Sequence, residues 1–169
     1  MKEIVVYTSG TGFTEQYAKW ISQELECDCV PLKKVSVQNL SSYDKVIYGG
    51  WVFGGMVMGL NKILSCGIKP VAVFAVGATP AGTEGVEQQI RKANTLSEEI
   101  PLFYMEAGFN YDRLGFFKKF ILKMLLKSLE KKESRSENEE IMLSALKNGS
   151  DNSSKEQTEP LVNLVRNSN

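Results

Sequence analysis

Histidine is absent from the 169 residues of the chain, and this absence narrows the chemistry that the protein can perform. Without an imidazole, catalysis by Ser–His or Cys–His pairs is excluded, and most zinc and haem sites lose their usual ligand. We therefore name no catalytic side chain and no metal ligand. Any redox chemistry must depend on a borrowed organic cofactor.

Cysteine, net charge and long apolar runs are also scarce. The three cysteines, Cys27, Cys29 and Cys66, form no Cys-x-x-Cys motif, which favours reduced thiols in the cytoplasm. The 20 basic residues balance the 20 acidic ones, so no overall field attracts nucleic acid. No apolar run could span a bilayer, and a strand pattern that begins at Ile4 predicts no signal peptide.

What is present is an alternation of apolar strand patterns with helical patterns, which predicts a single α/β domain over residues 1–169. The pattern indicates strands at 5–7, 29–32, 45–50, 71–76 and 101–105, and helices at 15–26, 60–66 and 84–93. The run from Val71 to Val76 is apolar without interruption, as is typical of a central parallel strand. We expect a doubly wound, five-stranded parallel sheet with helices on both faces.

The first strand runs into a loop of hydroxyls and glycines, the first loop (residues 9–14), and then directly into a helix. Glycines allow a close backbone approach, and a helix N-terminus offers N–H groups and a positive dipole end, so this order suits an anion. The loop contains no Lys or Arg, which predicts that neutral donors bind a phosphate. The P-loop pattern fails because Phe13 follows Gly12, and the dinucleotide fingerprint fails because Glu15 stands in place of glycine.

Two more glycine-led loops follow predicted strands: the second loop (residues 50–55) and the third loop (residues 77–81). In a parallel sheet, all three loops leave the carboxyl ends of strands, where ligands bind. Trp51 and Phe53 lie between glycine pairs, where their rings could either stack on a flat ligand or pack under the loop. Backbone contacts from Gly50 to Gly54 do not depend on that choice.

The sequence of the first loop and the residue after it, Ser-Gly-Thr-Gly-Phe-Thr-Glu (residues 9–15), resembles the phosphate loop of flavodoxins, which wraps the single phosphate of FMN. The alternative is a purely structural turn. The stretch from Ala107 to Leu114 and the Phe- and Lys-rich segment after it are similar to flavodoxin-domain proteins of the quinone-dependent protoporphyrinogen oxidase group. The resemblance implies a flavodoxin-like fold, with the FMN phosphate at the first loop and the flavin ring between the second and third. The residues that would contact the cofactor are Thr8, Ser9, Gly10, Thr11, Gly12, Phe13, Thr14, Gly50, Trp51, Val52, Phe53, Gly54, Gly77, Ala78, Thr79 and Pro80.

The resemblance implies an FMN protein that carries electrons or acts as a small flavin oxidoreductase, with a redox partner protein or a small-molecule electron acceptor. One alternative is a quinone-linked porphyrinogen-type oxidase, although residues 94–100 leave little room for the loop insertion typical of that group. Another is an interaction or membrane-surface module with weak FMN binding. Its surface would be the segment from Arg113 to Lys132, a predicted amphipathic helix with Lys119, Lys123 and Lys127 beside a wide apolar arc.

The last part of the chain changes composition. Residues 133–159 are polar and predicted to be partly mobile, above all at 148–156. A helical patch is predicted at 139–146, where Ser136 and Glu139 have the spacing of a capping box. Pro160 then opens a short final helix, in the first turn, where its missing N–H does no harm.

Overall fold

Five parallel strands form the centre of the protein in a computed structural model. The structure describes residues 1–108 and 151–168, and between them residues 123, 124, 126–128, 130–132, 134, 140 and 143. The strands are β1 (Glu3–Thr8), β2 (Asp28–Pro31), β3 (Lys45–Phe53), β4 (Met56–Val57), β5 (Ala72–Gly77) and β6 (Leu102–Glu106). The helices that are described along their whole length are α1 (Phe13–Leu25), α2 (Leu60–Ser65), α3 (Val86–Asn94) and α4 (Glu159–Asn167), with 3₁₀ turns at Leu32–Lys34, Val37–Ser42 and Lys155–Thr158.

The strand order in the sheet is β2-β1-β3-β5-β6, and each neighbouring pair along this path is parallel. With the short β4 set aside, this is the order 2-1-3-4-5 of flavodoxin-like doubly wound sheets. The order in which strands are added reverses between β1 and β3, because β2 lies on one side of β1 and β3 lies on the other. This reversal marks the switch point at which such sheets open a ligand crevice.

Helices cover both faces of the sheet because successive strand residues point to opposite sides. On one face, Leu60 and Ile63 of α2 and Ile90 of α3 pack with the side of β1 that carries Ile4. The other face is covered by α1 and α4, whose buried side chains pack with Val5, Phe74 and other residues of that side. The predicted fold class, a five-stranded parallel sheet with helices on both faces, is confirmed.

The predicted end of β3 is wrong. The sequence indicated a strand that stops at Gly50, but β3 continues through Phe53 and pairs antiparallel with β4. Gly54 and Gly55 turn the chain with φ of 56° and 82°. Two consecutive positive φ values suit a two-residue hairpin, and Trp51 and Phe53 are good strand formers. Most of the second loop is therefore part of a β-hairpin, which extends past the carboxyl ends of the parallel strands.

The predicted final helix is confirmed as α4, with Pro160 in its first turn. Its residues Leu161, Val162 and Val165 are buried on the α1 side of the sheet. The Nζ atom of the buried Lys45 donates to the carbonyl of Val165 at 2.9 Å and lies 3.2 Å from Oε1 of Glu3. This contact ties the end of the chain to the amino ends of β1 and β3.

Part of the segment predicted to be mobile contacts the rest of the protein. The N–H of Ser154 donates to the Tyr17 hydroxyl at 3.2 Å, and Nδ2 of Asn152 donates to Oε1 of Glu106 at 2.6 Å. Residues 148–150, the capping-box residues Ser136 and Glu139, and most of both the helical patch at 139–146 and the predicted helix from Arg113 to Lys132 lie outside the described residues. Within the part of the chain that the structure describes, no helix has the length and apolarity needed to cross a bilayer.

Candidate functional site

The first loop connects the carboxyl end of β1 to α1. Gly12 precedes the helix with φ of 97°, a left-handed conformation that glycine adopts without strain. Its N–H donates to Oγ of Ser9 at 3.0 Å, while its carbonyl accepts from the N–H of Gln16 at 3.0 Å, the first hydrogen bond of the helix. The first N–H groups of a helix have no partner within it, and no side chain caps α1. The loop thus presents backbone donors and the positive end of a 13-residue helix.

The hydroxyl groups of this region have different surroundings. Ser9 and Thr11 are half-buried at the loop surface, whereas Thr14 is 1% exposed. Because Oγ of Ser9 accepts from Gly12, its own hydrogen stays available to a ligand. Ser9 and Thr11 therefore offer hydroxyls to a bound anion, and the Thr14 side chain supports the loop from inside.

The Thr8 side chain belongs to a buried relay beneath the loop. Tyr48, which is 0% exposed, donates its hydroxyl hydrogen to the carbonyl of Met58 at 2.7 Å. The Thr8 hydroxyl, 2.8 Å from the Tyr48 oxygen, is consequently the donor of that second bond. Burial raises the pKa of Tyr48 to about 12, with the Thr8 hydrogen bond acting in the opposite direction. Tyr48 is therefore protonated throughout the physiological range.

Gly59, which sequence reasoning did not include, closes this relay. A Cβ atom at this position would lie 2.1 Å from the Tyr48 hydroxyl oxygen and 2.6 Å from Oγ1 of Thr8. Its φ of 86° also lies in the left-handed region. The glycine directly before the predicted helix at 60–66 was a signal that could have found it. The start of α2 is thereby fixed against the carboxyl ends of β1 and β3.

Trp51 brings the first and second loops together. A Cβ atom at Gly10 would lie 3.2 Å from Cε2 of Trp51, so the indole packs against the backbone of the first loop. The Trp51 ring is partly buried, and the Phe53 ring, 69% exposed, lies 5.8 Å from it with a tilt of 57°. Trp51 thus packs against the first loop, while Phe53 projects from the hairpin, and contact of either ring with a flat ligand stays a prediction. At Gly50 the close neighbours are Val57 and Met58 of the returning chain.

The third loop leaves the carboxyl end of β5, and Ala78, Thr79 and Pro80 are exposed there. Its support comes from the neighbouring strand β6. The hydroxyl of Tyr104 donates to the carbonyl of Thr79 at 2.9 Å, and Oε2 of Glu106 accepts the N–H of Ala81 at 2.7 Å. Burial raises the pKa of Tyr104. Sequence reasoning missed both supporting residues because their partners lie far away along the chain.

The other oxygen of the Glu106 carboxylate accepts the hydrogen bond from Asn152. One side chain at the end of β6 thus joins the third loop to the segment that precedes α4. The hydroxyl of Tyr17, on α1, donates to the Glu106 carbonyl at 2.5 Å. The first helix, the third loop and the C-terminal segment therefore meet at this residue.

The structure brings the three predicted loops together at the carboxyl ends of the strands, because β1, β3 and β5 are consecutive neighbours in the parallel sheet. The arrangement combines uncharged hydrogen-bond donors, an indole beside them and an exposed third loop. Among the described residues, no three His, Cys, Asp or Glu side chains are grouped as metal ligands.

The sequence of residues 4–136 matches a family model described as Flavodoxin domain. The chain belongs to the flavodoxin domain family. Membership in this family supports a flavin cofactor and a flavin-binding redox function for the protein. The three cysteines of this flavodoxin-domain protein, Cys27, Cys29 and Cys66, form no disulfide.

Solved structures similar to this flavodoxin-domain protein include a flavodoxin from the domain Archaea, at 17% identity and a TM-score of 0.43, with 67% of this chain and 89% of the other covered. Flavodoxin 2 from Bacillus cereus is 21% identical, with a TM-score of 0.42 and coverages of 62% and 84%. A WrbA-like flavodoxin from Agrobacterium tumefaciens is 17% identical, with a TM-score of 0.45 and coverages of 61% and 82%. No curated protein matches the chain.

Proposed function

We propose that the protein binds FMN without a covalent bond and serves as an electron carrier or small flavin oxidoreductase. One observation carries the proposal: the unpaired N–H groups at the start of α1 lie in a lysine-free loop whose Gly10 packs against the Trp51 indole. A phosphate donor set and an aromatic surface suited to a flat ring are therefore adjacent. FMN supplies redox chemistry that the side chains of this protein do not.

The residues of the first loop would hold the phosphate. Its two negative charges suit the helix N-terminus, where an anion typically gains about 0.3–1 kcal/mol from the dipole, more when partly buried. The hydroxyls of Ser9 and Thr11 add donors, and Thr14, with its buried side chain, contributes its backbone N–H. The second and third loops would flank the ring, with Trp51 on the hairpin side and residues 77–80 on the other.

The first test is flavin binding by the purified protein. We expect a yellow protein, or a colourless one that quenches the fluorescence of added FMN. The double variant Ser9→Ala/Thr11→Val should bind FMN at least about 100-fold more weakly, because hydrogen bonds to a charged group contribute about 1.5–3 kcal/mol each. Thr14 is left unchanged because a substitution at this buried position would disturb the fold.

The matched control is Ser42→Ala/Ser65→Ala, which removes two exposed hydroxyls that bond only to nearby carbonyls of Asn39 and Lys62. Its FMN affinity should equal that of the wild type. Unchanged affinity in the Ser9/Thr11 variant would show that the phosphate lies elsewhere. A wild type that binds no flavin would refute the proposal as a whole.

The redox partner protein or small-molecule acceptor belongs to this proposal as well. A quinone-linked porphyrinogen oxidase activity and a cytoplasmic location stay predictions. Membrane contact through the segment from Arg113 to Lys132 also stays a prediction, because most of that segment lies outside the described residues.

A further inference from the structure

A cavity of about 480 Å³ lies beside the first loop, on the β2 side of β1. It is bounded by the ends of β1 and β2, the first turn of α1 and the start of α2. Thr8 and Ser9 line it, so the proposed phosphate loop forms one of its walls. Its volume falls within the range of small-molecule sites, about 300–1,000 Å³. The flavin ring, proposed to lie toward β3 and β5, does not account for it.

Three lysines line this cavity: Lys33 and Lys34 from the 3₁₀ turn after β2, and Lys62 from α2. Within the described residues, none of the three forms an ion pair. The buried Leu32, whose Cδ2 would lie 3.0 Å from a Cβ at Gly59, anchors the turn that carries two of them. The cavity is thus a fixed concavity with an excess of positive charge.

Glu15 is the one acidic residue among those lining this cavity, and its charge is already engaged. Its carboxylate forms an ion pair with Lys19 at 2.7 Å. The pKa of Glu15 is lowered first by the hydrogen bond from Lys19, and the charge of Lys33 and a hydrogen bond from Tyr7 act in the same direction. Lys34 and Lys62 therefore remain to attract an anion from solution.

Ser9 belongs both to the first loop, where the phosphate of FMN is proposed to lie, and to the lining of this cavity. A ligand with a further phosphate could continue past Ser9 into the lysine-lined cavity. We propose that this cavity is a second phosphate subsite, which accepts the adenylyl phosphate of a flavin dinucleotide or the phosphate of a separate adenine nucleotide. In its first form, with a flavin dinucleotide as the ligand, the inference rests on the proposed flavin function. In its second form, with a separate adenine nucleotide, it does not, since the lysines would attract a free nucleotide without any flavin.

The test compares the binding of FMN, FAD and ADP by the same protein. In the first form of the proposal, FAD binds about 10-fold more tightly than FMN at low salt, because two partly solvated ion pairs of modest strength, with Lys34 and Lys62, together give roughly this factor. In the second form, the FMN-loaded protein binds ADP, as measured by calorimetry. In both forms the gain decreases with salt, which screens exposed charges.

The triple variant Lys33→Gln/Lys34→Gln/Lys62→Gln should lose the FAD preference or the ADP binding and keep the FMN affinity of the wild type. The control Lys69→Gln/Lys92→Gln/Lys127→Gln removes the same charge from three exposed residues that do not line the cavity. It should behave as the wild type does. Equal thermal unfolding of both triple variants would exclude misfolding as the cause.

The remaining outcomes separate the second phosphate subsite from the proposed flavin function. Tight FMN binding with neither a preference for FAD nor binding of ADP would overturn the subsite and leave the flavin function in place. ADP binding that depends on the three lysines, in a protein that binds no flavin, would support the subsite and overturn the flavin function. A preference for FAD that the triple lysine variant retains would also overturn the subsite.

Discussion

Replacing Tyr48 by phenylalanine should destabilise the protein, because the hydroxyl of this fully buried residue holds two separate segments. It donates to the carbonyl of Met58 at 2.7 Å and accepts from Thr8 at 2.8 Å. Tyr48→Phe removes one oxygen atom and keeps the ring. The change therefore deletes both hydrogen bonds with little effect on the packing of the side chain.

The magnitude follows from these two bonds. A typical intramolecular hydrogen bond contributes about 0.5–1.5 kcal/mol net, and polar groups that are left buried without partners add to the loss. We expect Tyr48→Phe to lower the free energy of unfolding by about 2 kcal/mol. For a protein of this size, such a change corresponds to a decrease in Tm of roughly 4–8 °C.

The assay is denaturant unfolding of Tyr48→Phe beside a matched control, Tyr43→Phe. The Tyr43 hydroxyl donates to Asp28 at 2.9 Å in an exposed setting, so its loss should cost less than about 0.5 kcal/mol. A double-mutant cycle with Thr8→Val isolates the relay. Once Tyr48 is phenylalanine, Thr8→Val removes a hydroxyl that has already lost its partner, and it should cost less than in the wild type by at least 0.5 kcal/mol.

If Tyr48→Phe were no more destabilising than Tyr43→Phe, the Tyr48 hydroxyl would not hold the two segments together. Additive effects of the changes at Thr8 and Tyr48 would also exclude the relay, because additivity means that the two hydroxyls do not interact. Flavin titration of the same variants adds a further readout. A weaker relay should reduce flavin affinity less than Ser9→Ala/Thr11→Val does, because the Thr8 hydroxyl is engaged with Tyr48 and the hydroxyls of Ser9 and Thr11 stay in place.

Two further predictions concern pH and the third loop. Burial raises the pKa of both Tyr48 and Tyr17 to about 12, so the folded protein retains protons that the unfolded chain releases above about pH 10. The contribution of these two groups to the free energy of unfolding is complete below about pH 10. Between about pH 10 and pH 12 it decreases by about 1.4 kcal/mol per pH unit for each tyrosine. Urea titrations of the wild type over this range should therefore show a steeper decrease in stability than those of Tyr48→Phe. Glu106→Gln replaces the charged acceptor of the Ala81 N–H by a neutral one and should speed hydrogen exchange at Ala81 about 10-fold or more. The control Glu99→Gln alters an exposed ion pair and should leave this exchange rate unchanged. Equal exchange rates in the two variants would contradict the role of Glu106.

The fold and the position of the site could be predicted because local patterns encode both. Strand and helix periods are visible over a few residues, and the glycines of the first loop lie next to the helix that they precede. The parallel sheet then places the loops after β1, β3 and β5 at one edge. These inferences needed no knowledge of which side chains touch.

The parts that sequence reasoning missed are contacts between distant residues. The direction of the Thr8 hydroxyl depends on Tyr48, and the order of the third loop depends on Glu106 at the end of another strand. The extension of β3 was missed because glycines at 49–50 were interpreted as the end of a strand, whereas the turn uses Gly54 and Gly55. Paired glycines indicate a turn nearby but do not by themselves say which pair makes it.

The packing of α4 against α1 has a consequence for the order in which the protein can mature on the ribosome. β1 and α1 are synthesised first. The apolar layer on the α1 face of the sheet is completed only by Leu161, Val162 and Val165 of α4, which are synthesised last. The family match ends at residue 136, so this layer is completed by a helix beyond the matched region. During translation, the α1 face of the sheet remains incompletely covered until α4 has been synthesised, and chaperones that recognise exposed apolar surface would have a target there throughout that interval.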